Sequence, residues 1–331
     1  MQQTLQQQHP LKEILTGVTF VSSILIAAIY IPVIGWLCSC FIPLPIMYYR
    51  FKLGRKPMMI LMTLTMLIAI QVYGGLTLDT MFIAELLILG SVMSELVQKD
   101  LSVDETILYT TGLLFIAGLF GLFYYSQVIS TGIGTILTDY VNHNVTLSIN
   151  LYRDLGMSDE QVKKLAQSIE NIVYVLIRII PSISIAFLML LSWLNLLAAR
   201  AVFQRYQLPF PKYGSLNCWK SPDILVWGVI VSGSVMLIPY DMFTIIGCNV
   251  LIVLMIIYFF QGIAVMSFFF EKKNVSKLVR ALLYSFLVIH QLSLILIIGI
   301  GLFDVWADFR KQNPESSQPP DHRSGFPYDW F

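Results

Sequence analysis

Two residues in this chain have the side-chain chemistry to hold a charged group inside a lipid bilayer. Glu85 stands in the apolar run MFIAELLILGS, and Arg178 in YVLIRIIPSISIAF, three residues before Pro181. An ionisable group within a membrane span is costly, so it faces a bundle interior or a wet cavity and has a partner there. Glu85 has no basic residue within a helical turn or two of its own segment, so its partner comes from another span or from water. Arg178 is the arginine at comparable depth, each about six residues, or roughly 9 Å, inside the outer end of its run. Arginine's planar fork suits a carboxylate, whether Glu85 or an anionic group on a ligand. Gln71 with Tyr73, and Asn249, fall at similar depth and complete a candidate outward-facing ligand site of Glu85, Arg178, Gln71 and Asn249. A plainer reading of Arg178 is also open. A span over 179–199 alone is long enough to cross, which leaves Arg178 at the boundary with its head snorkelling to the phosphates.

The elements that position these residues are helices in a membrane. Of 331 residues, 56% are hydrophobic and 12% charged, and mean hydropathy is +0.73; soluble domains carry about twice that charged share. Apolar runs fall at about 14–31, 33–49, 57–76, 80–98, 104–128, 172–199, 222–240, 243–270 and 279–303. Most are long enough to cross about 30 Å of hydrocarbon. The expectation is an all-α, polytopic transmembrane bundle of eight or nine spans over 1–311, followed by a disordered polar tail at 312–331. The first two runs are joined at Pro32, and Pro43 and Pro45 interrupt the second, so those two form one broken or re-entrant unit if the count is eight. The first run reads as a retained span rather than a cleaved signal.

Basic residues set the orientation. Arg50, Lys52, Arg55 and Lys56; Arg200, Arg205, Lys212 and Lys220; and Lys272, Lys273, Lys277 and Arg280 form three clusters on one side under strict alternation, which is assigned to the cytoplasm. The connection at about 129–171 is then outside, and with nine spans so is the tail. Within that connection Ser158-Asp159-Glu160-Gln161 fits a capping box, and the apolar residues after it keep helical spacing. A helix starting near Asp159 therefore runs unbroken into the membrane.

Other polar residues read as packing. Asn195, Gln261, His290 and Gln291 suit interhelical hydrogen bonds, with a proton relay the sharper alternative at His290. Ser23 with Ala27, Ala117 with Gly121, and Gly228 with Ser232 allow close helix approach. Four scattered cysteines give neither a disulfide framework nor a metal set, and no metal or other cofactor is expected. The near-zero net charge, sorted by side of the membrane, gives no reason to expect nucleic acid. The sequence has no GxxxxGK[ST] loop, HExxH or GxSxG, so it is not read as an enzyme, and any uphill transport needs an ion gradient or a membrane partner with an ATPase.

Three strings, WKSPDILVW (219–227), YFFQGIAV (258–265) and GLFDVWADFRK (301–311), resemble the YybS-like family of uncharacterised bacterial multi-pass membrane proteins. FIPLPIMYYRFKLG (41–54) is similar to the opening of the S components of energy-coupling-factor transporters, which have six spans. The resemblance implies a bacterial inner membrane and a link to transport, and supplies no site residues. Read physically, Trp219 and Trp227 bracket a helix start, and Asp304 to Lys311 form an interfacial helix end. Two function classes stay open: a substrate-capturing transporter subunit that depends on a partner for energy, and a structural or regulatory membrane protein that binds other membrane or envelope proteins and no solute.

Overall fold

In a computed structural model, the described residues are 10–154, 156, 158–211, 213 and 216–310, and they contain helices and no strands. Gln161, needed for the capping box, has no described side chain; Lys212 and the tail at 312–331 also lie outside the described residues. Six helices are long and apolar enough to cross a membrane, or seven if one bent pair counts as a span. This falls short of the eight or nine expected, and the reason lies in three of the apolar runs. The second run breaks into α2 (Pro32–Ser39) and α3 (Pro43–Leu53), after α1 (Pro10–Tyr30). Each break coincides with a proline in the first helical turn, where its missing N–H costs nothing. The seventh run yields a helix of 12 residues, Leu225–Met236. The ninth is two helices, Lys277–Ile289 and Gln291–Ala307, with a change of direction of 107° between them.

Contacts divide the chain into two compact units, Met1–Ile180 with Phe187–Pro211, and Pro181–Ala186 with Lys212–Phe331. In the first, α1 packs on α2 and on α4 (Arg55–Tyr73), α3 on α5 (Leu78–Val97), and α5 on α6 (Val103–Val128). Local sequence starts these helices. Thr77 and Thr80 form a reciprocal capping box for α5, and Ser102 and Glu105 form one for α6. At the basic ends, Arg50 meets Glu95 at 2.9 Å and Lys52 meets Glu13 at 2.7 Å, tying α3 to α5 and to α1. The Ala117–Gly121 spacing serves packing inside this unit, since a Cβ on Gly121 would lie 2.9 Å from Met81 Cε.

The outer connection holds α7 (Ile133–Asp154), and α8 (Asp159–Arg205) then runs 47 residues without interruption. The expected helix from Asp159 into the membrane is therefore found, and Pro181 sits inside it.

The second unit is built on α10 (Asp241–Lys272), packed against α9 (Leu225–Met236) and α12 (Gln291–Ala307); α11 (Lys277–Ile289) contacts α12. Glycine decides the α10–α12 crossing. A Cβ on Gly262 would lie 2.1 Å from the Ile297 carbonyl oxygen, and one on Gly301 2.0 Å from that of Tyr258. Backbone therefore rests on backbone there, as small residues allow in membrane bundles.

A helix broken inside lipid leaves backbone groups that only protein can satisfy. At the α2–α3 break the answer is Asn195 of α8, buried, whose Nδ2 donates 2.9 Å to the Cys40 carbonyl and 2.9 Å to that of Leu191. The Asn195→Leu variant should lower the stability of the detergent-solubilised protein by about 1–3 kcal/mol, the cost of an orphaned buried acceptor. Thermal unfolding beside an exposed control such as Thr138→Val measures it.

Candidate functional site

Of the expected site, Glu85, Arg178 and Gln71 belong to the first unit and Asn249 to the second, so neither unit contains all four. Arg178 turns back along its own helix. Its Nη1 donates to the Tyr174 carbonyl at 3.0 Å, and the guanidinium lies 3.3 Å from the centroid of the Tyr174 ring. No ion pair joins it to Glu85. That arrangement, reaching one turn toward the outer end of α8 and covering an aromatic face, is what the snorkelling reading describes. Gln71 is exposed near the end of α4.

Asn249 has a backbone role. Its Oδ1 accepts from the N–H of Ser182 at 3.2 Å, and its Nδ2 donates to the Ile245 carbonyl at 2.8 Å. Ser182 follows Pro181, whose ring disturbs the helical ladder at this turn. The side chain of α10 thus serves a backbone donor beside the proline.

Glu85 differs from these. It is half-buried in α5 with its carboxylate over the backbone of α6, so that a Cβ on Gly118 would stand 3.1 Å from Oε1. Among the described residues it makes neither an ion pair nor a hydrogen bond. One concavity runs along α1 at Leu11, Thr16 and Phe20, and another is formed by Tyr140, Asn144 and Leu176. Neither is lined by Glu85, Arg178, Gln71 or Asn249.

The densest polar constellation lies in the second unit. Asp304 and Arg310 form an ion pair at 2.7 Å with each side chain 1% exposed. The Arg310 Nη1 donates to the carbonyls of Asn217 and Trp219 at 2.9 and 2.8 Å. Asp304 Oδ2 also accepts from Gln261 Nε2 at 3.0 Å, and Oδ1 from the Phe309 N–H at 3.1 Å. Gln261 Oε1 in turn accepts from both the N–H and the hydroxyl of Ser221. At the far end Asn217 donates to Glu271. The chain comes back to make this pairing through Asp308, which ends α12 in the left-handed region at φ 40°.

The network corrects two expectations. Asp304 and Arg310 do more than edge the last helix: the carboxylate is buried and needs the guanidinium beside it. The nine-span count put the segment after α12 opposite the basic connection that carries Lys220, yet Arg310 lies against Asn217 and Trp219 of that same connection. His290, expected mid-span, is exposed at the break between α11 and α12, stacked on Phe286 at 5.5 Å; the Gln291 side chain is not described. The three strings quoted from the sequence carried a signal for the network, since they contain its members Trp219, Ser221, Gln261, Asp304 and Arg310, though not Asn217 or Glu271.

Residues 19–305 match the family described as Predicted membrane protein (DUF2232). The chain belongs to this family. Neither the curated proteins nor the solved structures compared with it gave a match. It is accordingly an integral membrane protein with several apolar helices, of a family whose activity is not defined.

Removing one partner of a buried pair leaves the other charged and desolvated, at about 3–5 kcal/mol, whereas removing both costs less. Asp304→Asn and Arg310→Gln should each lower the melting temperature in detergent by more than the double variant does. A melting temperature for the double variant equal to the sum of the two losses would show that the charges act independently.

Proposed function

We propose that this protein is a substrate-capturing subunit of a membrane transport system, with Glu85 as the group that meets the solute, and that it draws its energy from a partner. The observation that carries the reading is the contrast among its intramembrane polar residues. Asn195, Asn249, Gln261, Asp304 and Arg310 are each engaged with backbone or with a buried partner. Of the charged residues discussed within the spans, Glu85 is the one left without such a partner among the described residues, where an ionisable group carries a standing cost. A carboxylate so placed suits a proton or a positively charged group on a solute. The reading also draws on the sequence resemblances to the YybS-like family and to the S components of energy-coupling-factor transporters. Both point to a bacterial inner membrane with the basic clusters in the cytoplasm. The sequence has no phosphate loop, so uphill transport would draw on an ion gradient or, on this reading, a partner ATPase.

The second reading, a structural or regulatory protein assembled with membrane or envelope proteins, is favoured by one observation: the two concavities described are open, and neither is lined by Glu85, Arg178, Asp304 or Arg310.

Purification in mild detergent followed by mass spectrometry of bound species separates the two. On the transport reading the wild-type protein carries an amine-bearing or other cationic solute and an ATPase-containing partner. Glu85→Gln should reduce the bound solute at least tenfold while holding or raising the melting temperature, because it removes an uncompensated charge. Partners without any solute, identical for wild type and Glu85→Gln, would establish the second reading.

A further inference from the structure

The ninth apolar run is the least expected part of the fold, and α11 within it has two unlike faces. Leu278, Leu282 and Phe286, spaced i, i+4, i+8, are 69%, 61% and 56% exposed and form one apolar stripe. The opposite face is engaged with the end of α10. Arg280 Nε donates to the Val275 carbonyl at 2.9 Å and Nη2 to that of Phe270 at 3.1 Å, and the Tyr284 ring meets Phe270 at 5.6 Å. Arg280 is therefore spent on carbonyls at the end of α10 and in the turn after it. Three other cations remain exposed around the α10–α11 junction: Lys272, Lys273 and Lys277. The nearest carboxylate, Glu271, is occupied by Asn217. Lys272 lies 6.0 Å from the Phe268 ring, a distance that leaves its ammonium free to reach an anion. The change of direction of 107° after Ile289 means that α11 does not extend α12 as a straight span.

An apolar stripe with lysines gathered at one end is the composition of a helix that lies in the membrane–water interface and binds anionic lipid. We propose that α11 is such a surface helix, and that Lys272, Lys273 and Lys277 form a site for the headgroups of anionic phospholipids in the leaflet on the side of the basic connections. The occupant is lipid rather than a soluble partner because α11 is joined directly to α10, a candidate membrane span, and to the apolar α12, and because cations cluster at the junction where α10 ends. Arg280 and Ser276, which caps α11 through the Val279 N–H at 3.5 Å, hold the junction in shape. The site does not depend on whether Glu85 captures a solute.

The test uses the full chain in micelles containing equal amounts of phosphatidylglycerol and phosphatidylcholine, with retained lipid read by native mass spectrometry. Near an anionic surface each lysine is worth about fivefold in affinity. Wild type should retain phosphatidylglycerol over phosphatidylcholine by at least fivefold, and the K272Q/K273Q/K277Q variant should lose most of that preference. An R55Q/K56Q variant should keep it. The three lysines are exposed, so an unchanged melting temperature will show that the triple variant is folded. In nanodiscs, F286W should add emission that brominated phosphatidylcholine quenches. Equal retention of the two lipids by wild type, or the same preference in the triple variant, overturns the proposal. Unquenched F286W emission also overturns it, because α11 would then be covered by protein or stand in water. Displacement of the phosphatidylglycerol by millimolar inorganic phosphate would assign the lysines to a free anion instead.

Discussion

In hydrocarbon, a backbone N–H or C=O with no partner costs several kcal/mol, and no water is there to supply one. The architecture of this protein follows from that constraint. Its helices break off at Cys40 and across the 206–224 connection, α8 carries Pro181 inside it, and a polar side chain from elsewhere in the same unit serves each place. Asn195 reaches the Cys40 carbonyl, Asn249 the Ser182 N–H, Gln261 the Ser221 N–H, and Arg310 the carbonyls of Asn217 and Trp219. Arg280 does the same for the Phe270 carbonyl of α10 and the Val275 carbonyl just after it. The polar residues that look functional in an apolar sequence are, for the most part, what allows the chain to be irregular.

Arg310 adds a complication. A guanidinium brought in to satisfy carbonyls is itself a buried charge, and its own desolvation cost falls due unless an anion accompanies it. Asp304 is that anion, and Gln261 and the Phe309 N–H occupy its remaining acceptor positions. A requirement at two backbone carbonyls thus propagates through four further groups. The crossing of α10 and α12 at Gly262 and Gly301 brings Asp304 close enough to Gln261 for the chain to close. In the first unit Glu85 has no counterpart to this arrangement, which is why the functional reading rests there.

How far the sequence revealed this depended on the range of the interaction. Helical content, the α8 start near Asp159, and the breaks at Pro32 and Pro43 are local, set by hydropathy and by the missing proline N–H, and they were legible. The interhelical roles of Asn195 and Gln261 were legible in kind but not in partner, because nothing in a sequence says which carbonyl will be orphaned. Asp304 and Arg310 were misplaced because charges near a helix end usually mark an interface, and only the left-handed turn at Asp308 returns Arg310 to the interior. The pairing sought between Glu85 and Arg178 was inferred from equal depth, and depth leaves rotation about each helix undetermined. Arg178 found Tyr174, four residues away, instead. His290 looked like a mid-span residue because hydropathy is blind to a bend that leaves composition unchanged.

The length of α8 has a mechanical consequence. Its 47 residues span roughly 70 Å at 1.5 Å per residue, more than twice the hydrocarbon thickness of about 30 Å. A rod that overshoots its bearing is a lever: Asp159 lies about 33 Å from Pro181, so a tilt of about 10° there would sweep that end through about 6 Å, if the helix stays straight with a 1.5 Å rise. Asn249 grips the rod beside Pro181, near its midpoint, so a small rotation at that grip is amplified at the outer end.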